Sequence, residues 1–359
     1  MEERSVAAEQ RDRAAAYAAL LPDIAALQTH GQHALVAACL GALARCRIAD
    51  HVDGQRTLGE IATLARVDPL ALRRLVRFLE PHGVFDFSDG RPSLTAKGRL
   101  LRSDSPVWSS LVLRGANDAA GHLDHAMRTG GAAFPRAFGT DFWSFLAARP
   151  DEQDAFADAM RLQDAMLSVA CVPAMDLSGV AAVADVGGGT GDLLAAILEA
   201  NPSVHGILVD QPEMLARAHP ALRAGPLAAR STLRPGDLFG ELPAADAYVL
   251  AGVLHDWGDD HASRILRGLR RAAPPGARLF VLTLLIPEGG GAHPAKTADI
   301  GMMALFGGGR ERTEAELRDL LASAGWQVTA VTPTRVATVI VATVAESSAG
   351  ATGGRDPGS

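Results

Sequence analysis

The second half of the chain alternates short apolar runs with segments of helical periodicity, beginning at about residue 180. This alternation is typical of a parallel β-sheet that is covered by helices. The pattern predicts strands at 181–186, 207–209, 247–250 and 278–286, helices from 192 and at 313–324, and a final strand pair at 327–331 and 336–344. A turn at 332–335 would make that last pair antiparallel. A sheet that closes in this way differs from the sheet of a dinucleotide-binding dehydrogenase.

The composition fits two globular domains and argues against charged macromolecules as partners. The chain has 359 residues, of which 48% are hydrophobic and 21% charged, and its formal net charge is −7. This balance gives no electrostatic reason to bind nucleic acid or an anionic membrane. The three cysteines are scattered and form no metal-ligand pair. We therefore expect a reduced, cytoplasmic protein that acts on small molecules, without nucleic acid, membrane or metal partners.

The first part of the chain is predicted to be mainly helical and to contain a winged helix-turn-helix. A short helix would precede a turn at 67–69, where Asp68 can cap the next helix, and two strands would flank a turn at 88–90. The second helix of this motif carries Arg73, Arg74 and Arg77. Such a motif can bind DNA, but the acidic balance of the whole chain argues against that interpretation.

A glycine-rich loop follows the first predicted strand of the sheet. Glycines stand at Gly187, Gly189 and Gly191, where they allow a tight turn and a close approach to a ligand at the start of a helix. The dinucleotide fingerprint would need a further glycine at the position of Asp192. A diphosphate would also be repelled by Asp185 and Asp192. A ligand with a ribose and a positive sulfonium would not be repelled.

Two more aspartates follow the next two strands. Asp210 comes about 20 residues after the loop, where a carboxylate can accept hydrogen bonds from both ribose hydroxyls. Asp237 follows the subsequent strand and could accept from an adenine amino group beside an apolar face. The alternative is a glycine turn with three solvated aspartates.

His255 lies just past the carboxyl end of a predicted strand, at the edge where open α/β sheets bind ligands. An imidazole is well matched to removing a phenol proton near neutral pH. The alternative is a structural, hydrogen-bonded histidine. A base would need a carboxylate on its other ring nitrogen, and the sequence leaves Asp256, Asp299 and Glu311 open.

An apolar substrate pocket is predicted near the junction of the domains, although aromatic residues make up only 5% of the chain. The aromatic cluster there consists of Phe142, Trp143, Phe145 and Phe156, with Met160 beside it. These side chains could form a ligand wall or an interdomain core. Met302 and Met303 could likewise line the pocket or belong to the core, since methionine side chains pack well in both.

With these segments in order, the chain resembles the small-molecule O-methyltransferase family, which includes plant caffeate and flavonoid enzymes and bacterial enzymes that tailor aromatic polyketides and antibiotics. The resemblance covers about residues 14–345 and depends on ADVGGGTGDLL, LVDQPEM, PGDLF, LHDWGDDHASRIL and GGRERTEAEL. It implies an S-adenosylmethionine-dependent transferase acting on a hydroxyl of a small aromatic molecule. It also implies an α/β Rossmann-like domain with a seven-stranded, mostly parallel sheet and a terminal antiparallel hairpin, preceded by a mainly helical winged-helix domain for homodimerisation.

The resemblance and the residue pattern together assign candidate site residues. The catalytic candidates are His255, Glu311 and Asp256. The candidates for cofactor binding are Asp185, Gly187, Gly189, Gly191, Asp210, Gln211, Asp237 and Leu238. The candidates for substrate binding are Phe142, Trp143, Phe156, Met160, Trp257, Asp299, Met302 and Met303. One departure is Thr283, which stands where many relatives have a glutamate beside the base.

That departure keeps a second function open, a methyltransferase-fold enzyme that uses the bound cofactor for hydroxylation, decarboxylation or cyclisation. The winged-helix segment leaves a third, a regulator that senses a small molecule. The predicted organisation is a disordered segment at 1–12, a winged-helix dimerisation domain at 13–110, a helical linker and pocket wall at 111–178, an S-adenosylmethionine-binding domain at 179–346 and a disordered tail at 347–359.

Overall fold

A computed structural model describes residues 2–344, which form two compact units that meet between Leu113 and Arg114 in the sequence. The tail at 347–359, for which we predict disorder, lies outside the described residues. The segment at 1–12, for which we also predict disorder, overlaps the first turns of a helix that begins at Glu2, and its side chains are not described. In the part of the chain that the structure describes, no helix is long and apolar enough to cross a membrane.

The first unit is mainly helical. Its elements are α1 (Glu2–Arg45), α2 (Leu58–Ala65), α3 (Pro69–Leu79), β1 (Phe85–Ser88), β2 (Arg91–Leu94), α4 (Ala96–Arg99) and α5 (Trp108–Val112). A capping box between Thr57 and Glu60 begins α2. The Asp68 carboxylate begins α3 by accepting from the backbone N–H of Ala71 at 2.7 Å. The cap that the sequence predicts at Asp68 is therefore present.

β1 and β2 form an antiparallel hairpin. Asp89 and Gly90 connect them with φ angles of 51° and 74°. Two successive left-handed residues match the right-handed twist of the strands, which is why Asp-Gly is favoured in such turns. The order helix, turn, helix and two-stranded ribbon is thus present in the first unit. Its core is built by apolar side chains that include Leu43, Ile48, Ile61, Leu72, Val76 and Leu79.

The second unit begins with five helices. They are α6 (Ala116–Ala119), α7 (Leu123–Thr129), α8 (Phe134–Phe138), α9 (Phe142–Ala147) and α10 (Pro150–Cys171). α9 carries part of the predicted aromatic cluster, and Asp141 begins it by accepting from Ser144 N at 3.0 Å. α10 begins with a proline, which is well tolerated at the first helical position.

A seven-stranded sheet forms the centre of the second unit. Its strands are β3 (Ala182–Val186), β4 (His205–Asp210), β5 (Ser231–Pro235), β6 (Ala247–Ala251), β7 (Arg278–Thr283), β8 (Trp326–Pro333) and β9 (Thr338–Val344). Their order is β5-β4-β3-β6-β7-β9-β8, and every pair from β5 to β7 is parallel. β9 runs antiparallel to both β7 and β8. The mostly parallel sheet with a terminal antiparallel hairpin is therefore confirmed.

Helices follow the strands of the sheet. They are α11 (Asp192–Ala200), α12 (Pro212–Leu215), α13 (Pro220–Arg223), α14 (Asp259–Ala272), α15 (Pro294–Leu305) and α16 (Glu314–Ser323). Two apolar clusters pack within this unit. One includes Leu193, Leu194, Ile197 and Leu208, and the other includes Ile265, Leu266, Leu269 and Trp326.

Predicted boundaries were wrong at the end of β7 and at the final hairpin. The strand predicted at 278–286 ends at Thr283, because the chain leaves the sheet and Ile286 N donates to the Arg312 carbonyl at 2.9 Å. The turn predicted at 332–335 lies later, because Pro333 still belongs to β8. Thr334 closes the turn by bonding the backbone of Ala337 in both directions, with Thr334 N donating at 2.9 Å.

Candidate active site

The glycine loop connects β3 to α11 at the carboxyl edge of the sheet. Gly187, Gly189 and Gly191 all have positive φ angles, of 72°, 58° and 76°. A Cβ on Gly191 would lie within 2.8 Å of the Leu208 and Leu222 side chains, so packing also excludes a larger residue there. The loop therefore turns directly into the N-terminus of α11, where backbone N–H groups are free to meet a ligand.

Asp185 lies beneath this loop. It is 1% exposed, and neither carboxyl oxygen has a hydrogen-bond partner among the described residues. A Cβ on Gly188 would collide with the Asp185 carboxyl group, so this glycine leaves the space that the carboxyl group fills. Burial, together with the charge of Asp210, raises the pKa of Asp185 to about 7.

Asp210 lies at the end of β4 and joins that strand to the loop. One carboxylate oxygen accepts from Gly189 N at 2.8 Å, and the other accepts from Gln211 N at 2.7 Å. Burial raises the pKa of Asp210, and these two hydrogen bonds oppose the shift. The carboxylate is thus oriented by the backbone. The side chain of Gln211 is exposed.

Asp237 and Leu238 follow β5. The Asp237 carboxylate is exposed and accepts from Phe239 N at 2.9 Å, which shapes the turn after the strand. Leu238 is half-buried, and a Cβ on Gly187 would lie 3.4 Å from its side chain. The structure therefore places Leu238 against the glycine loop, whereas Asp237 faces solvent.

A further carboxyl group that the sequence did not single out belongs to this region. Burial raises the pKa of Asp164 on α10 to about 8, with added repulsion from Asp185 and Asp192. Arg161 approaches Asp192 with its Nε at 3.9 Å and also pairs with Asp158. Carboxyl groups thus surround the loop, so the region suits a ligand that carries positive charge and a ribose. The residues present fit S-adenosylmethionine better than a dinucleotide.

His255 lies in a short 3₁₀ turn, Leu254–Asp256, immediately after β6. Its Nδ1 lies 2.8 Å from Glu311 Oε1, and its Nε2 lies 3.4 Å from Asp256 Oδ1. The Glu311 side chain is 1% exposed. Asp299 does not contact the imidazole and instead accepts from Glu311 N at 2.9 Å. Of the three carboxylates left open by the sequence, Glu311 therefore orients the ring, and Asp299 supports Glu311.

The two carboxylates control the charge of His255. Burial favours the neutral imidazole, but the hydrogen bond to Glu311 and the charges of Asp256 and Glu311 outweigh it and raise the pKa of His255. Burial raises the pKa of Asp256 to about 7, although the charge of His255 lowers it. This group of three side chains can accept and hold a proton close to neutral pH.

The glycine loop and the histidine turn lie side by side. β3 and β6 are parallel neighbours, so their carboxyl ends meet at one edge. A Cβ on Gly187 would lie 3.0 Å from the Val253 side chain, two residues before His255. A Cβ on Gly252 would lie 3.3 Å from Gln163 Nε2 and 3.6 Å from His255 Nε2. Gln163 could not be predicted from sequence, because only the fold brings α10 to this edge.

Aromatic rings gather where α9, α10 and α15 approach one another. Trp143 is stacked on Phe306 with a centroid distance of 5.5 Å and an interplanar angle of 19°. Phe156 and Phe142 contact Trp143 edge-to-face at 5.6 and 5.3 Å. Phe142 is only 2% exposed and packs as a core residue, whereas Trp143 is 41% exposed. Phe306, which the sequence analysis did not select, belongs to the same cluster.

The remaining predicted substrate residues include three methionines and Trp257. Met160, Met302 and Met303 are half-buried. Trp257 lies apart from the Trp143 cluster and packs edge-to-face on Phe239 at 4.9 Å. Phe239 follows Leu238, which is predicted to lie against the adenine of the cofactor. Trp257 therefore lies near the predicted adenine site and not in the aromatic cluster around Trp143.

A small cavity of about 10 Å³ lies beside His255, with Thr283 and Glu311 among its lining residues. The second oxygen of Glu311, Oε2, is buried without a hydrogen-bond partner among the described residues. Thr283 Oγ1 makes only a long contact of 3.4 Å to the Leu284 carbonyl. The departure at Thr283 therefore lies next to the imidazole and the carboxylate. In residues 2–344, no group of three or more His, Cys, Asp or Glu is arranged to hold a metal ion.

Comparisons with known proteins agree with this geometry. Residues 121–327 match the O-methyltransferase domain family. The O-demethylpuromycin-O-methyltransferase of Streptomyces alboniger is 38% identical over 287 residues, which cover 77% of this chain and 76% of that protein. Aclacinomycin 10-hydroxylase RdmB of Streptomyces purpurascens is 37% identical over 295 residues, 79% of each chain.

A solved structure extends the likeness to the fold. The O-methyltransferase NcsB1 from neocarzinostatin biosynthesis, in complex with S-adenosylmethionine and 2-hydroxy-5-methyl naphthoic acid, superposes with a TM-score of 0.77 at 32% identity. The match covers 86% of this chain and 95% of that chain. It therefore includes both the helical N-terminal region and the sheet.

Proposed function

Because this chain belongs to the S-adenosylmethionine-dependent O-methyltransferase family, we propose that it methylates a phenolic hydroxyl of a small aromatic natural product with His255 as the general base. The observation that carries the proposal is the contact of 2.8 Å between His255 Nδ1 and Glu311 Oε1, next to a loop that fits the cofactor. The family consists of enzymes, so a ligand-sensing regulator is not retained.

The roles of the chain's own groups follow from this geometry. S-adenosylmethionine supplies the methyl group when it is bound. Glu311 accepts from the Nδ1–H of His255, which leaves the lone pair on Nε2 to accept the phenol proton. Glu311 and Asp256, 2.8 and 3.4 Å from the two ring nitrogens, then stabilise the imidazolium. The oxygen of the substrate gains nucleophilicity as its proton moves to Nε2.

The cofactor would be held at the carboxyl ends of β3, β4 and β5. Asp210 would accept from the ribose hydroxyls, and Gly187, Gly189 and Gly191 would admit the ligand close to the backbone, above the buried carboxyl group of Asp185. Leu238 would contact the adenine, and Asp237 would lie near its amino group. In this proposal, Trp257 supports Phe239 on the same side.

The acceptor is proposed to be a flat aromatic molecule. The half-exposed Trp143 and its stacked partner Phe306 offer ring faces, and Phe156 offers an edge. Aromatic pairs prefer such offset and perpendicular arrangements, which an aromatic ligand can extend. Met160, Met302 and Met303 supply adaptable side chains around it.

A radiochemical assay tests the proposal. The protein is incubated with methyl-labelled cofactor and a panel of phenols, and label should appear in an ether product. His255→Ala should lower kcat by about 10²- to 10⁴-fold, the range for losing a general base. His205→Ala is the matched control, because His205 begins β4 at the opposite edge of the sheet. Equal turnover by the two variants would remove His255 as the base.

A second candidate function keeps the fold and changes the reaction. It is favoured by the 37% identity to aclacinomycin 10-hydroxylase RdmB and by Thr283, which leaves one carboxylate fewer beside the base. In that case a product would form without label from the cofactor. The same assay therefore separates the two candidates when products are identified by mass.

We also propose that the first unit is a winged-helix dimerisation domain that pairs with a second copy of this chain. Its α1 exposes a stripe of apolar side chains at helical spacing, Tyr17, Leu20, Leu21, Ile24 and Leu27. Three of them, Tyr17, Leu21 and Leu27, are 58–72% exposed. Exposed apolar surface of this extent is typical of an interface between subunits.

A further inference from the structure

Three consecutive residues hold the turn that carries His255. Arg310 N donates to the His255 carbonyl at 2.8 Å. Glu311 accepts from the ring of the same histidine. Arg312 then contacts the residues on both sides of the His255–Asp256 pair. The short segment 310–312 thus bonds to the backbone of His255, to its ring and to the carbonyls of Leu254 and Trp257 on either side.

The Arg312 guanidinium spans the turn. Its Nη1 donates to the Leu254 carbonyl at 2.9 Å, and its Nη2 donates to the Trp257 carbonyl at 2.9 Å. Its Nε and Nη2 also donate to Asp259 Oδ1 at 3.0 and 2.7 Å. The planar fork of an arginine can make all four bonds at once, which the single ammonium of a lysine cannot reproduce.

Burial makes these bonds important for the geometry. The Arg312 side chain is 3% exposed, whereas its partner Asp259 is 55% exposed. Burial opposes the ionisation of Asp259, but the hydrogen bonds from Arg312 and Arg310 lower the pKa of that carboxyl group. A buried cation with several satisfied donors is held in one orientation, because every alternative would leave donors without partners.

The segment is itself anchored from the other side. The Arg312 carbonyl accepts from Ile286 N at 2.9 Å, just beyond β7. Asp299 of α15 accepts from Glu311 N at 2.9 Å. Residues 310–312 are therefore bonded to the chain beyond β7 and to α15 on one side, and to the turn that carries His255 on the other.

We propose that Arg312 is a positioning residue for the transfer reaction. It fixes the carbonyls of Leu254 and Trp257 and so holds the His255 ring against Glu311 and within reach of the acceptor oxygen. The inference rests on the proposed role of His255 as the base. A displacement of about 1 Å in such a group costs up to about 100-fold in rate.

Arg312→Lys tests the proposal, because it keeps the charge and removes the fork. The expected result is a kcat lower by about 10- to 100-fold with an unchanged Kd for S-adenosylmethionine by calorimetry. The acidic limb of the kcat pH profile should also move to lower pH, since a looser turn weakens the bond from His255 to Glu311. Arg318→Lys is the control, because Arg318 pairs with Glu314 on the exposed face of α16. An Arg312→Lys profile that overlays the Arg318→Lys profile would overturn the proposal.

Asp259→Asn keeps the proposal testable if Arg312→Lys does not fold. It removes the charged partner that the Arg312 side chain shares with the Arg310 side chain, and it changes no residue of the Leu254–Asp256 turn. It should shift the same limb in the same direction with a smaller loss of kcat. An unshifted limb in folded Asp259→Asn would count against Arg312. The His255→Ala assay distinguishes the two failures. If that variant stays active, the base assignment fails, whereas an inactive His255→Ala with an unaffected Arg312→Lys refutes only the positioning role.

Discussion

His255 differs from an isolated histidine because an acidic side chain approaches each ring nitrogen. Glu311 is close enough for a strong hydrogen bond, and Asp256 is farther away, at 2.8 and 3.4 Å. Thr283 lines the same cavity as His255 and Glu311 and carries no charge. A carboxylate at that position would add a further negative charge around the imidazolium.

Thr283→Glu should move the acidic limb of the kcat/KM pH profile to higher pH. The new carboxylate would lie beside the cavity shared by His255 and Glu311 and would favour the protonated imidazole. Because that cavity measures only about 10 Å³, the larger side chain should also lower the melting temperature.

Thr283→Gln separates charge from size in this prediction. It has nearly the same volume as the glutamate and carries no charge. Both variants should lose stability, but only Thr283→Glu should shift the limb upward. Coincident profiles for the two variants would place Thr283 outside the electrostatic environment of His255.

Some site residues could be predicted from sequence and others could not, for a physical reason. Asp210 ends β4 and His255 lies in the turn that follows β6. The carboxyl ends of parallel strands meet at one edge whatever the rest of the chain does. Gln163 and Asp164 lie on α10, and Phe306 follows the end of α15. The rotation of each helix about its own axis decides which of these side chains face the edge. That rotation depends on packing with distant segments, which local periodicity does not encode.

At the scale of elements, interior positions were predicted better than ends. The strand around Val183 and the strand around Phe280 were recognised because they are apolar throughout, as buried parallel strands are. The end of β7 was wrong by three residues, since Leu284 to Ile286 are as apolar as the strand itself. Only a tertiary bond from Ile286 to Arg312 distinguishes them.

The long helix α1 leads to a prediction at the same scale. Leu21→Glu combined with Leu27→Glu should convert a dimer into a monomer, because two charges would enter the apolar stripe without partners. Light scattering after size-exclusion chromatography measures the mass. Leu70→Glu is the control, since Leu70 is 63% exposed on the separate helix α3. A double variant that keeps the mass of the wild type would exclude α1 as the interface.

At the scale of the whole molecule, buried carboxyl groups link stability, pH and cofactor. The pKa values of Asp185 and Asp256 are raised to about 7, and that of Asp164 to about 8. An unfolded aspartate titrates near 3.9. Between these limits the folded state binds more protons than the unfolded state, so the free energy of unfolding falls as pH rises.

A bound cation should offset this loss. S-adenosylmethionine carries a positive sulfonium and S-adenosylhomocysteine a neutral sulfur, and otherwise the two ligands share their ribose and adenine. The positive ligand lowers the pKa values of neighbouring carboxyl groups and releases their protons on binding. The increase in melting temperature should therefore be larger with S-adenosylmethionine, and the difference between the ligands should grow from pH 6 to pH 8.

Asp185→Asn assigns this effect to one group. Since neither oxygen of Asp185 has a hydrogen-bond partner among the described residues, the amide removes the charge without breaking a bond within that part of the chain. The ligand-free variant should be more stable than the wild type at pH 8 and similar at pH 5, because burying a neutral group costs less than burying a charge. The difference between the two ligands should shrink in the same variant. Asp124→Asn, at a side chain that is 72% exposed, should leave both quantities unchanged. If Asp185→Asn instead behaves like Asp124→Asn, the carboxyl beneath the glycine loop does not sense the charge of the cofactor.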